Sequence, residues 1–287
     1  MSSIIRIVKQ VHILAENTIV IIVATHKKYR MPEDSMYLPL LVGAEGRTDA
    51  DGRPVDFGYQ KDNTGSNISS RNSTYSELTG LYWAWKNLSA DYIGLVHYRR
   101  YFSVKKKGKD PFANIMTSEE AQSILRNHSI ILPKRRHYII ETLYSHYVHT
   151  LNETHLDKTR MIVEERCPDC LASYDRVMHR TWGYMFNMMV MRRDLFSEYC
   201  SWLFPILSAL EQQVDLTGYS DFDKRLFGRV SELLFDVWIE QRIAEKRISR
   251  KEIKEVRLLS MEPVNWWIKG TSFLKAKFFH QKYERSF

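Results

Sequence analysis

The chain is poor in cysteine, glycine and proline, with 3 Cys, 12 Gly and 8 Pro in 287 residues. Cys167, Cys170 and Cys200 are too few, and odd in number, to form the disulfide framework of a small secreted domain. Cys167-Pro168-Asp169-Cys170 is a lone C-x-x-C. A tetrahedral zinc site would need two more ligands, and His146, His149, His155 and His179 stand at no familiar zinc-finger spacing from it. The cysteines therefore read as ordinary free thiols. No run approaches the ~18 apolar residues of a membrane-spanning helix. Residues 1–15 lack the continuous apolar stretch of a secretory signal, so the expected compartment is the cytoplasm. A Gly-rich phosphate loop is also missing, which argues against a phosphotransferase of the P-loop type. No nucleic-acid reader motif is found.

What is there is an apolar, basic chain. The hydrophobic content of 44% supports a globular fold with a sizeable core. The 42 Lys and Arg outnumber 34 Asp and Glu, giving a net charge of +8. That balance suits an anionic partner: nucleic acid, a membrane surface or a phosphorylated substrate. Local clusters stand at 105–109, 134–136 and the C-terminus, and the first reads as a solvated loop.

Periodicity gives the coarse organisation. Strands are expected at 19–24, 37–42, 92–96, 129–132 (closed by Pro133), 184–191 and 253–261. Helices are expected at 74–88, 141–166, 193–211 and 229–242. A further helix, running to Arg126, starts at a capping box on Thr117 and Glu120. Pro205 should kink or break the helix that contains it. Residues 43–73, rich in Gly, Asp, Asn and Ser, read as a long loop, and loops of that length are usually functional. The expected architecture is one α/β domain over residues 1–262, with a mixed, mainly parallel sheet flanked by helices and a helical C-terminal extension.

Four constellations carry chemistry. The first is Tyr92 to Val96, an apolar run that ends in His97-Tyr98-Arg99-Arg100-Tyr101-Phe102. Charge at the carboxyl end of a strand is where open α/β sheets bind ligands, and paired arginines suit an anion such as phosphate. The second is the polar stretch with Asp62, Asn67, Asn72, Tyr75 and Glu77 before a helix. It reads either as a reader of sugar, nucleoside or phosphate, or as a well-capped loop. The third is Asp221, Arg225, Arg229 and Glu232. It reads either as a carboxylate base within reach of a sugar hydroxyl or as a structural Arg–Glu pair. The fourth is the tail, 264–287, where Trp266, Trp267 and Phe273 alternate with Lys269, Lys275 and Lys277. That pattern suits the surface of an anionic bilayer, or a helix packed back on the core.

The runs Asn67-Ile68-Ser69, Glu77-Leu78-Thr79, Tyr82-Trp83-Ala84-Trp85-Lys86-Asn87 and His97-Tyr98-Arg99-Arg100-Tyr101-Phe102 resemble the family called domain of unknown function 4422. Residues 187–189, 199–204 and 229–234 resemble its downstream blocks. These are bacterial capsule and exopolysaccharide glycosyltransferases. The resemblance spans roughly residues 18–245 and implies a GT-A-like fold, a UDP-sugar donor (galactofuranose for some members) and a lipid-linked saccharide acceptor. Where GT-A enzymes usually carry a metal-binding Asp-x-Asp, this chain has His97-Tyr98-Arg99. Fixed guanidinium charge can do the metal's electrostatic work, so no metal or other cofactor is expected. The family's Gly-Tyr/Phe-Leu-x-Glu block is Gly228-Arg229-Val230-Ser231-Glu232 here, a departure on the acceptor side.

The expected roles follow. Thr25, His26, Lys27, Asp62, Asn67, Asn72, Tyr75 and Glu77 line the donor pocket. His97, Arg99 and Arg100 hold the diphosphate. Glu232 is the first candidate for general base and Asp221 the second, and inversion is preferred. His149 and Asn187 meet the acceptor. The expected location is cytoplasmic, peripheral on the inner face of the membrane through 264–287, with no nucleic acid partner. The rival class is a non-catalytic binder of an anionic polymer.

Overall fold

The computed structural model describes residues 17–106, 108–138 and 140–262. The basic aromatic tail, the first sixteen residues and Lys107 of the lysine cluster lie outside the described residues. Ten strands and eight α-helices follow one another in the described part. The first half contains β1 (Ile19–Thr25), β2 (Tyr37–Leu41), β3 (Gln60–Lys61), α1 (Asn72–Tyr75), α2 (Leu78–Asn87), β4 (Tyr92–His97), β5 (Arg100–Ser103), α3 (Ser118–Leu125) and β6 (Ile130–Pro133). The second contains β7 (Arg136–His137), α4 (Leu143–Val148), α5 (Thr154–Arg166), α6 (Leu171–Met178), β8 (Trp182–Gly183), β9 (Met189–Arg192), α7 (Arg193–Gln213), α8 (Leu226–Ala244) and β10 (Ile253–Ser260).

Eight strands form one sheet in the order β3-β2-β1-β4-β5-β10-β6-β9, with β9 also paired to β4. The strands from β4 through β9 thus close on one another. Pairings of β1 with β2 and β4, of β2 with β3 and of β10 with β6 are parallel. Those of β5 with β4 and β10, and of β9 with β4 and β6, are antiparallel. The sheet is mixed as expected: β3, β2, β1 and β4 run parallel to one another, and beyond β4 only the β10–β6 pairing is parallel. The helix-rich second half is no C-terminal extension within the described residues, because β10 returns from it to lie between β5 and β6.

The apolar strands are buried on both faces. In β1, Ile22 packs on one side with α2, α7 and α8, while Ile21 and Val23 pack on the other with Met116 and Leu125 around α3. In β4, Ile93 and Leu95 join the first layer and Tyr92 and Val96 the second. This period of two explains why both strands are continuous apolar runs. Among the described residues no helix is long and apolar enough to cross a membrane.

Several sequence expectations are corrected. The helix expected over 74–88 is two helices, broken at Ser76, whose φ is 52°. Asn72 Nδ2 donates to the Ser76 carbonyl at 2.7 Å and stabilises the break. The 141–166 helix is likewise two, α4 and α5. The strand expected at 184–191 pairs with the main sheet only over Met189–Arg192. Pro205 does not end α7, which runs through it. Leu203, Phe204, Ile206 and Leu207 are all buried around the proline, and their packing offsets the ~3 kcal/mol that an interior proline costs. Cys167 and Cys170 are not free thiols but form a disulfide across the turn between α5 and α6. Cys200 is free and buried.

Gly94 shows how tightly β4 is held. A Cβ there would meet the Met189 carbonyl oxygen at 2.8 Å and Val190 Cγ2 at 2.9 Å. The carbonyl belongs to a paired strand and cannot retreat. Gly94→Ala should therefore destabilise the fold by about 1–3 kcal/mol, the usual cost of overpacking. A thermal melt with an unchanged midpoint would contradict this packing.

Candidate active site

The geometry begins with the turn between β4 and β5. Two residues, Tyr98 and Arg99, make the turn, so His97 and Arg100 are a cross-strand pair. Such pairs present their side chains on the same face. Both meet Phe186: His97 Nε2 lies 2.7 Å from the Phe186 carbonyl oxygen, and the Arg100 guanidinium sits 4.3 Å from the Phe186 ring centroid. A carbonyl only accepts, so Nε2 carries the proton. Burial lowers the His97 pKa, with Glu77 opposing. His97 therefore orients Phe186, and its Nε2 is engaged in doing so.

Residues 184–188 connect β8 to β9. Phe186 and Asn187 both lie at positive φ, 73° and 52°. Non-glycine residues held there mark sites where the surroundings impose the backbone. The surroundings are α8. Glu232 Oε2 accepts from the Phe186 amide at 2.9 Å, and Asp236 Oδ2, one turn on, accepts from the Tyr184 amide at 3.0 Å. Asn187 is buried; its Nδ2 donates to Glu77 Oε1 at 2.8 Å and to the Gly228 carbonyl at 3.0 Å, and its Oδ1 accepts from Ser231. One amide thus joins the break between α1 and α2 to the start of α8. Arg225 Nε donates to Ser76 Oγ at 3.0 Å across the same junction.

Glu232 is half-buried at the centre of this cluster. Burial pushes its pKa up to about 7, against the Phe186 hydrogen bond; Glu77 adds to the rise, and Arg229 and Arg100 oppose it. Asp236 is fully buried and pushed up to about 8 by burial. Cations rim the cluster. At the end of β1, burial lowers the His26 pKa, followed by Arg47, Lys27, Arg99 and Arg225. Lys27 lies over the Tyr98 ring, and Arg229 lies 3.9 Å from the Phe222 ring centroid. Among the described residues no group of three His, Cys, Asp or Glu side chains could hold a metal ion.

The structure brings His97, Arg100, Glu77, Asn187 and Glu232 together, with His26, Lys27 and Arg99 on the rim. Arg99 itself pairs with Glu262 at 2.9 Å. Other candidate residues have structural engagements. Asp62 is fully buried and accepts from Gly43 N, Ala44 N, Ser69 Oγ and Thr79 Oγ1. Asn67 and Asn72 bond to nearby backbone, Tyr75 stacks on Phe227, and Thr25 accepts from the Lys27 amide. Asp221 is fully exposed, facing Lys224 at 3.9 Å. His149 and His146 both bond through Nδ1 to the buried Glu141. The Tyr138 ring lies against His146 and its hydroxyl donates to Met185, linking that trio to the 184–188 segment. The sequence reading missed Arg47, the Phe186 amide and Asp236. Only Asp236 left a signal, four residues after Glu232 on a helix. A cavity of about 500 Å³ at the opposite end of β4, lined by Asp91, Arg192 and Arg193, shares no residue with this cluster.

The raised carboxylates have a measurable consequence. A folded-state pKa of about 7 for Glu232 and about 8 for Asp236, against the 4.5 and 3.8 of the free side chains, means the folded chain holds protons that the unfolded chain has lost. Stability contributed by these groups therefore falls as pH rises from about 4 to 8. In melts over that range, Glu232→Gln should flatten the fall; a slope identical to the native chain's would refute the shift.

The family described as "Domain of unknown function (DUF4422)" matches residues 20–243. The solved structure titled "WbbM bifunctional glycosytransferase apo structure" superposes with a TM-score of 0.77 at 28% sequence identity, over 86% of this chain and 46% of that one. The chain thus spans about half the length of that protein. No curated protein matches the chain. The family match covers most of the chain, including the His97–Phe102 turn, the 184–188 segment and the Glu232 end of α8, and the protein belongs to the DUF4422 family.

Proposed function

We propose that the chain is a glycosyltransferase of GT-A type that moves a sugar from a nucleoside diphosphate donor to a saccharide acceptor. The observation that carries the reading is Glu232: a half-buried carboxylate with a pKa of about 7, facing Arg229 on its own helix and Arg100 at the start of β5. The likeness to a bifunctional glycosyltransferase supports it. A base with that pKa is well matched to proton transfer near neutrality.

In the reaction, Glu232 as carboxylate takes the proton of an acceptor hydroxyl. The oxygen attacks the anomeric carbon while the bond to the diphosphate breaks, in one inverting displacement. Negative charge grows on the departing diphosphate, and Arg100, Arg99, Lys27 and Arg225 meet it. Fixed cations aimed at developing charge lower the barrier without a metal, and the reaction is metal-independent on this reading. The donor is a UDP-sugar, with galactofuranose the leading candidate, and the acceptor is a lipid-linked capsule, exopolysaccharide or O-antigen repeat. Residues 264–287 hold the enzyme to the anionic inner face of the cytoplasmic membrane. The rival reading, a passive binder of anionic polymer, leaves unexplained why the cations converge on two carboxylates rather than cover an open face.

With a UDP-sugar and lipid-linked acceptor, Glu232→Gln should cut turnover about 10²–10⁴-fold, the usual worth of a general base. Arg100→Ala should cost about 10²–10³-fold, as loss of a charge-stabilising donor does. Native turnover should climb with pH through about 7 as Glu232 ionises, and should persist in EDTA. Activity that vanishes in chelator and returns with manganese would refute the metal-free route, and no hydrolysis or transfer from any nucleotide-sugar would favour the binder.

Removal of 263–287 should release the protein from liposomes containing anionic lipid. Equal sedimentation of the shortened and full chains would take the tail out of the account.

A further inference from the structure

We propose that the cavity between the α4–α5 elbow and residues 218–223 is a subsite for one neutral pyranose ring. That the ring belongs to the acceptor rests on the glycosyltransferase reading; the binding itself does not. The cavity holds about 220 Å³ and is lined by Asn152, His155, Gly218, Tyr219 and Asp223. At ~30 Å³ per water this is room for about seven waters, below the ~300 Å³ at which sites for drug-sized ligands begin. It fits a single sugar ring and not a nucleotide.

The lining chemistry separates this cavity from the donor end. Neither lysine nor arginine is among its walls, so it offers nothing to neutralise phosphate. It presents an amide, a phenol and a carboxylate, groups that pair with the hydroxyls of a neutral polyol. The Tyr219 ring gives an apolar surface for the C–H face of a sugar.

The walls are also fixed before any ligand arrives. His155 is 1% exposed and engaged at both ring nitrogens, Nδ1 with the Tyr147 hydroxyl at 3.0 Å and Nε2 with the Tyr219 hydroxyl at 2.9 Å. This buried relay anchors Tyr219 between two exposed neighbours, Gly218 and Ser220. Asp223 accepts from the Ser220 hydroxyl at 2.6 Å, and Asn152 Oδ1 accepts from the Thr154 amide at 3.0 Å. Asn152 therefore serves the cavity as an N–H donor. A surface segment with no sheet pairing has been given a buried histidine as its anchor, and solubility alone would not require that.

The position suits an acceptor. Phe222, between Tyr219 and Arg225 in sequence, carries the Arg229 guanidinium on its ring, and Arg229 is an electrostatic neighbour of Glu232. Tyr147, at the far end of the histidine relay, also feels Arg229. A saccharide with one ring in the cavity would run past Phe222 toward the base.

The test is saturation-transfer NMR on the full chain, with methyl pyranosides of glucose, galactose, mannose and N-acetylglucosamine at millimolar concentration. At least one should bind, and Asn152→Ala and Tyr219→Phe should each weaken it about fivefold, the worth of one hydrogen bond. Asn152 is exposed, so its variant keeps the fold. Glu232→Gln should leave pyranoside binding intact even where it abolishes transfer, which separates this proposal from the catalytic one. Absence of binding by all four pyranosides would overturn it. So would native affinity in both cavity variants, or binding lost only in Glu232→Gln, which would put the sugar at the base.

Discussion

The clamp of α8 on residues 184–188 is the constraint on which the site depends. Two residues there hold positive φ, at about 1–3 kcal/mol each. The Tyr184 and Phe186 amides are withdrawn from the main sheet ladder, and buried amides left unpaired are costly. Two α8 carboxylates one turn apart take them instead, and Asn187 ties the same segment to Glu77, Gly228 and Ser231. The Glu232 bond is of the stronger, charge-assisted kind when that carboxyl is ionised, and together with the Asp236 and Asn187 bonds it offsets the strain. Phe186 then becomes the surface on which His97 and Arg100 are oriented. The β4–β5 turn, the α1–α2 break and the start of α8 therefore form one unit, although they come from three distant stretches of sequence.

The same enclosure sets the electrostatics. A carboxylate brought among packed groups loses hydration, which favours its protonated form. Arginines on the rim pull the other way. Glu232 sits where the two effects nearly balance, close to neutrality. Arg99 is held apart from this balance by Glu262, at the end of the described chain, while Arg100 faces Glu232 and Glu77. The adjacent arginines, alike in sequence, are divided by the hairpin: one belongs to the turn and the other to the strand.

Much of this was legible in the sequence wherever burial dictates pattern. Strands β1 and β4 announced themselves because both faces are covered, and α3 because its capping box is local. Glu232, Arg100, Glu77 and Asn187 could each be picked out, but their partnerships could not. Asn187 looked like an acceptor contact, yet its amide is consumed inside the protein. Asp62 looked like a donor ligand, yet four donors fill its carboxylate. Nothing in a linear pattern tells a polar side chain that reads a ligand from one that replaces a missing ladder bond. The strand predicted at 184–191 failed for the same reason: its apolar composition is that of a strand, and tertiary hydrogen bonds override it. Pro205 shows the converse, a local breaker overruled by buried neighbours on both sides.

Asp236 makes the behaviour of Glu232 intelligible. Two carboxylates one helical turn apart, with Glu77 nearby, would repel if all were ionised. Asp236 is fully buried, its Oδ1 finds no hydrogen-bond partner among the described residues, and its pKa is pushed up to about 8. It is therefore mostly protonated at neutral pH. As an acid it still accepts the Tyr184 amide through Oδ2, so the clamp holds, but it places no full negative charge behind Glu232. An ionised Asp236 would lift Glu232 further above neutrality and weaken it as a carboxylate base in the working range. The two groups divide one task. The deeper carboxyl stays neutral and holds the segment, and the shallower one, near the arginines and solvent, is left free to exchange its proton.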